Sequence, residues 1–281
     1  MVRNFWKLND LSVLQILKNP FFMLKNISWQ YIMFLFFFFS FSTCSHTRPP
    51  EKTITIAVAA SAYDAIQAIA NAYALETGKK AAIIRGSSGK LATQITQSAP
   101  YALFFSADEY YPFFLEKKGF ATGVPRIYAN GFLSVWIENQ PIEGKFVDYL
   151  KSKAVKKIAL ANITSAPYGK AAYKWMQEQN ILDLIQQKLV FGESIAQVNT
   201  YILSNTVDVA FTSFPSLVMA DEKIKNNILQ LTIEESPPLP QAMLITTYGQ
   251  EHFPEESQSF FNFALSKKGQ AILNEFGYNN P

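Results

Sequence analysis

Cysteine is nearly absent: Cys44 is the only one in 281 residues. A lone cysteine excludes an internal disulfide framework and any cysteine-rich metal site. Histidine is almost as scarce. His46 and His252 are the only two, and neither has a sequence neighbour suited to a catalytic triad or a metal site. A surplus of one charge is missing from most of the chain as well. Residues 1–50 hold five of the 25 Lys and Arg and one of the 22 Asp and Glu, leaving 20 and 21 in residues 51–281, a formal charge of −1. The basicity therefore belongs to the first fifty residues, and the rest lacks the basic stripe that nucleic-acid binding needs.

One long apolar run is present, YIMFLFFFFSF at 31–41, and it is short for a permanent bilayer span. Lys25 precedes it and STCSHT follows, the order of a secretory signal peptide. A signal-anchor helix is the alternative. Met23 and Met33 are alternative starts, because 22 residues ahead of MLKNISWQYIMF is long for such a leader. Cys44, in FSFSTC, is placed like the acylated cysteine of a lipoprotein cleavage site, with Phe41 where leucine is usual and Thr43 where glycine or alanine is usual. Lipid anchorage through Cys44 and plain cleavage nearby both stay open. HTRPPEK at 46–52 is a linker, so residues 1–50 are set aside as leader.

Beyond the linker, strand and helix signals alternate. TITIAVAAS (53–61) is the apolar run of a buried parallel strand. Ala62, Ala65, Ile66, Ile69, Ala70 and Tyr73 then recur at helical spacing, and Gly78 stops that helix. KKAAIIRGS and YALFFSAD are further strands, each followed by a helix, and three such units predict a parallel α/β sheet. The pattern restarts with a strand at 130–139, then KKIALAN, KLVFGES and TVDVAFTS. PPLPQAMLITTYG (237–249) returns the chain to one long terminal helix, EESQSFFNFALSKKGQAILNEFG. Two similar halves predict an α/β protein of two lobes, with a ligand in the cleft between them, outside the strand carboxyl ends. The first lobe takes residues 51–131 and 238–281, the second 132–237.

IIRGSSGKLATQI (83–95) resembles a phosphate loop at first sight. A Walker loop needs glycine five residues before the Gly-Lys pair and serine or threonine after it, but Ile84 and Leu91 stand there. A helix N-terminus binds anions without that motif, through free N–H groups and the helix dipole. Ser87 and Ser88 lie at such a terminus, and Ser61 lies at the end of the first strand. Each alone reads as a helix cap, with Asp64 completing a capping box after Ser61. The same placement twice, facing one cleft, points to a ligand.

ITIAVAAS, GSSGKLATQI and APYALFFSAD, in this order and spacing, resemble the periplasmic molybdate-binding proteins of ABC transporters, and the likeness runs over residues 53–281. The resemblance implies a type II periplasmic-binding fold with two crossover strands, holding molybdate or tungstate by hydrogen bonds alone. It implies Ser61 and Ser88 as ligands from the first lobe. From the second it implies Tyr168 in SAPYGKAA, the Ile195 N–H in FGESIAQV, and Ser213 in VDVAFTSFPSL, with Thr212 as its rival. Ala102 stands where the family has aspartate, a loss that weakens a structural hydrogen bond or a lobe contact. The implied protein is a monomer without a cofactor that hands its anion to a membrane permease, in the periplasm or held to the membrane through Cys44.

The residues themselves point to the same ligand class. A dianion needs many donors and no acceptor, and hydroxyls with helix N-termini supply that. Hydrogen phosphate would want a carboxylate acceptor, which the set lacks unless Asp64 turns inward. An enzyme is the other class. GSSG is not the G-x-S-x-G elbow, and Glu234–Glu235 and Glu255–Glu256 read as solvated surface. A sulfate or organic-anion binder of the same fold is the remaining alternative, and Arg85 is the one arginine placed to clamp a carboxylate. Core packing accounts for Phe113, Phe114, Phe260 and Phe261.

Overall fold

The computed structural model describes residues 53–231 and 236–281. The chain runs β1 (Ile54–Ala59), α1 (Tyr63–Thr77), β2 (Ala81–Gly86), α2 (Ser88–Thr96), β3 (Leu103–Phe105) and α3 (Tyr110–Lys117). Next come β4 (Ala121–Gly131), β5 (Leu133–Ile137), α4 (Phe146–Lys151), β6 (Ile158–Ala161), α5 (Pro167–Glu178) and α6 (Leu182–Ile185). They lead to β7 (Leu189–Gly192), α7 (Ile195–Leu203), β8 (Val209–Ser213), α8 (Glu222–Lys225) and β9 (Ile228–Gln230). β10 (Leu239–Thr246), α9 (Thr247–His252), α10 (Pro254–Leu265) and α11 (Lys267–Glu275) close the chain.

The strands form two five-stranded sheets, ordered β2-β1-β3-β10-β4 and β7-β6-β8-β5-β9. In each, three parallel strands are joined by an antiparallel one: β10 beside β3, and β5 beside β8. The sheets are thus mixed rather than parallel. The reason is connectivity. β5 starts opposite the carboxyl end of β8, at Ser213, and the amino-terminal part of β10 lies beyond the carboxyl end of β3. Both strands therefore enter from the side where the parallel strands finish.

Alternation along β1 and β3 sorts side chains onto two covered faces. Ile56, Val58, Leu103 and Phe105 pack with Ile66, Ile69 and Tyr73 of α1 and Phe260 of α10, while Ala57 and Phe104 meet Leu91 and Ile95 of α2. Burial on both sides explains the unbroken apolar run of β1. α1 ends where predicted. Gly78 takes φ 75°, and its N–H donates to Ala74 O at 2.9 Å.

Three expectations are corrected. The strand at 130–139 is two strands: β4 begins nine residues earlier and, after Phe132, β5 joins the other sheet. Gly123 and Pro125 disguise β4 as a loop. The long terminal helix breaks at Ser266, whose Oγ accepts from Gly269 N at 3.2 Å and starts α11. Phe113 is exposed on α3, whereas Phe260 is fully buried and meets Tyr73 edge-on at 5.1 Å.

Candidate functional site

The parallel strands of both sheets finish around a small, tight cavity of about 10 Å³. Its wall comprises the turn Ala59–Ser61 after β1, Ser87 and Ser88 opening α2, and Ala107 after β3. Ala166–Tyr168 opening α5 and Ser194–Ile195 opening α7 complete it from the other half. The structure therefore brings Ser61, Ser88, Tyr168 and Ile195 together, although they are scattered over more than a hundred residues. Among the described residues, no acidic or basic side chain lines this space.

The first turn of a helix has N–H groups without intrahelical partners, and its dipole presents positive charge there. α2, α5 and α7 all begin at the cavity. The hydroxyls add to this. Ser61 is 3% exposed and its Oγ has no hydrogen-bond partner. Ser88 Oγ accepts from Ala107 N at 3.0 Å, which leaves its own proton to donate. The helix-cap expectation fails for these serines. The α1 cap position belongs to Ala62, and Ser87, at the α2 cap, makes no side-chain cap bond.

Tyr168 is buried, and desolvation pushes its hydroxyl up to about 12, so it stays a neutral donor at physiological pH. Gln241 Nε2 donates to Tyr168 Oη at 3.0 Å. Tyr278 Oη donates to the Ser61 carbonyl at 3.0 Å, fixing the turn after β1.

Contacts across the cavity mouth hold the two halves together. Gly89 N donates to Ser165 O at 2.8 Å, and Tyr111 Oη donates to Thr164 O at 2.9 Å. Asn162 Oδ1 shapes that loop by accepting from Thr164 N at 2.9 Å and Ser165 N at 3.0 Å. Lys90 pairs with Glu193 at the surface. Gly89 has to be bare: an added Cβ would lie 2.5 Å from Tyr111 Oη and 2.9 Å from Ser165 Cα.

Residues 54–279 match the family model described as bacterial extracellular solute-binding protein. The chain belongs to that family. It is 28% identical to the molybdate-binding protein ModA of Azotobacter vinelandii over 227 residues, covering 80% of this chain and 89% of that one. ModA of Rhodobacter capsulatus is 27% identical, over 80% of this chain and 87% of its own. The structure of the periplasmic molybdate-binding protein of A. vinelandii superposes with a TM-score of 0.75 at 28% identity, covering 81% of this chain and 99% of that one. The fold is the type II periplasmic-binding fold, in two α/β lobes.

Within this solute-binding protein, Ser213 stands apart from the other predicted residues. It is fully buried, does not line the cavity, and lies behind Tyr168 and Tyr278, near enough to stabilise their ionised forms but without a well-formed hydrogen bond. Its rival Thr212 donates to Asn199 Oδ1 at 2.7 Å. Arg85 stacks on Tyr63 at 4.8 Å and, with Asp64, lines a neighbouring groove rather than the cavity. Asp64 has not turned inward, and burial raises its carboxyl against the lowering effect of Arg85. Ala102 is fully buried, and its carbonyl accepts from Thr246 N at 3.1 Å. An added Cβ on Gly249 would come 2.2 Å from Ala102 O and 2.9 Å from Ala102 Cα, so the two backbones pack closely here.

His252 stacks on Tyr248 at 4.3 Å, and its Nδ1 lies 3.0 Å from the Tyr248 carbonyl oxygen. Among the described residues, no group of three or more His, Cys, Asp or Glu could hold a metal, and no helix is long and apolar enough to cross a membrane. The leader, Cys44, His46 and the pair Glu234–Glu235 lie outside the described residues. Ser194 and Gln241 are the site residues that sequence reasoning missed. Ser194 could have been found as the polar residue between β7 and α7, whereas Gln241 carries no sequence signal.

Proposed function

We propose that this solute-binding protein captures a fully deprotonated tetrahedral oxyanion, molybdate or tungstate, and delivers it to an ABC-transporter permease. The observation that carries the reading is the cavity wall. Helix N-termini and hydroxyls converge there, one of them the buried, unpartnered Ser61 Oγ, and among the described residues no carboxylate lines it to accept a hydrogen bond from hydrogen phosphate. The ligands in this reading are Ser61 and Ser88, through hydroxyl and N–H, the Tyr168 hydroxyl and the Ile195 N–H. Ser213 acts behind Tyr168 rather than on the anion. The names of the relatives support molybdate among oxyanions of like charge and shape.

The mechanism is hinged closure without covalent chemistry, by a monomer in the periplasm or tethered through Cys44. One lobe binds the anion first. The donors of the other reach it only when the cleft shuts, and this difference in affinity drives closure. Arg85 lies outside the cavity, which argues against a carboxylate-clamping organic-anion binder. Calorimetric titration with molybdate, tungstate, sulfate and phosphate in parallel tests the reading. Tight molybdate or tungstate binding with weak sulfate and phosphate binding is the expected result; binding of phosphate alone would sink it.

A further inference from the structure

We propose that Gln241 is a positioning residue that aims the Tyr168 hydroxyl proton at the bound anion; the proposal rests on the oxyanion reading above. Gln241 is fully buried on β10, the strand that returns the chain to the first sheet, while Tyr168 opens α5 in the other lobe. Its amide joins two phenols. Nε2 donates to Tyr168 Oη at 3.0 Å, and Oε1 accepts from Tyr128 Oη at 2.8 Å. The backbone is shaped for this meeting. An added Cβ on Gly131 would lie 2.2 Å from Tyr168 Oη and 2.4 Å from Gln241 Nε2.

The chemistry follows from what each group can do. A primary amide has one accepting and one donating end, and a neutral phenol carries one proton. With Nε2 donating to its oxygen, Tyr168 keeps its own proton for another acceptor, and Tyr168 lines the cavity. The opposite polarity is also within reach. Tyr128 Oη lies 3.1 Å from the Ser106 carbonyl and could give its proton there. The amide would then turn over, Tyr168 would donate to it, and a lone pair would face the anion instead of a proton. Gln241 thus couples a strand of the first sheet to the hydrogen-bond polarity of one ligand group in the other lobe.

The test is a double-mutant cycle on the full chain, titrated with molybdate by calorimetry: Gln241→Met, Tyr168→Phe and the pair together. Each single change is expected to weaken binding about tenfold, as for one hydrogen bond to a charged group, and the pair no more than Tyr168→Phe alone. Gln241→Glu keeps the shape but presents acceptors to Tyr168, and is expected to bind more weakly than Gln241→Met. Thermal unfolding without anion checks that each variant folds; should Gln241→Met not fold, Gln241→Glu takes its place in the cycle. Wild-type affinity in the Gln241 variant, or an equal loss with and without Tyr168, overturns the proposal. A wild-type protein that binds no oxyanion overturns the functional reading and this one with it, whereas additive losses remove only the role of Gln241.

Discussion

Ser61 and Ser88 occupy equivalent turns but hold their hydroxyls differently, and their substitutions should differ accordingly. Replacing either by alanine is expected to weaken oxyanion binding by roughly 1.5–3 kcal/mol, read by calorimetry. Ser88→Ala also strips the acceptor from the buried Ala107 N–H, so its unfolding free energy should fall by about 1–3 kcal/mol. Ser61→Ala removes an unpartnered buried hydroxyl and should leave stability unchanged or slightly higher. Equal stability losses in both would contradict the assigned bonding. The buried phenols give a second test. Burial lifts Tyr168 to about 12 and Tyr128 and Tyr278 well above the ordinary 10.0. The unfolded chain therefore loses these protons first as pH rises. Their contribution is intact below about pH 10 and is lost as pH climbs through the folded values. Urea midpoints should stay flat from pH 8 towards 10 as far as these groups are concerned and then drop, less steeply in Tyr168→Phe.

The elements owe their ends to local chemistry that side-chain periodicity does not report. α10 and α11 share one apolar pattern, yet Ser266 caps the second, and Gly269 passes the Phe263 carbonyl so closely that an added Cβ would lie 2.4 Å from it. Ser266→Ala is expected to cost about 1 kcal/mol, the usual worth of an N-cap, measured by urea unfolding. No loss would mean that packing alone sets the break. β4 hides for a related reason. Glycine and proline are breakers in an isolated strand, but this one is an edge strand, with Pro125 opposite a register irregularity in its pairing with β10. The helices around the cavity were easier to foresee. Their small polar residues follow apolar strands directly, so the strand-to-helix turn is visible in the order of residue types.

Over the whole molecule, the proposed closure depends on the two lobes meeting. Lys90–Glu193 is solvent-exposed and is worth at most about 1 kcal/mol. Gly89 matters more, because it lets α2 approach the Ser165 backbone. Gly89→Val is expected to hold the cleft open, weaken oxyanion binding at least tenfold and abolish ligand-induced compaction in small-angle scattering. Its effect on the unfolding midpoint of the free protein should be small. Compaction in that variant equal to wild type would show that closure does not use this contact.

The sequence by itself determined the alternating α/β order, the return of the chain to its first half, and the uncharged, proton-bearing character of the Ser61, Ser88 and Tyr168 hydroxyls and the Ile195 N–H. Apolar periodicity and residue chemistry are local properties, carried by each segment on its own. Tertiary structure alone decided that these residues share one cavity, that Ser213 stands behind Tyr168 instead of in the wall, and that Gln241 and Gly131 support Tyr168. Those facts are contacts between residues far apart in the chain. They follow from which strand lies beside which, and from a few ångströms of space that no single segment encodes.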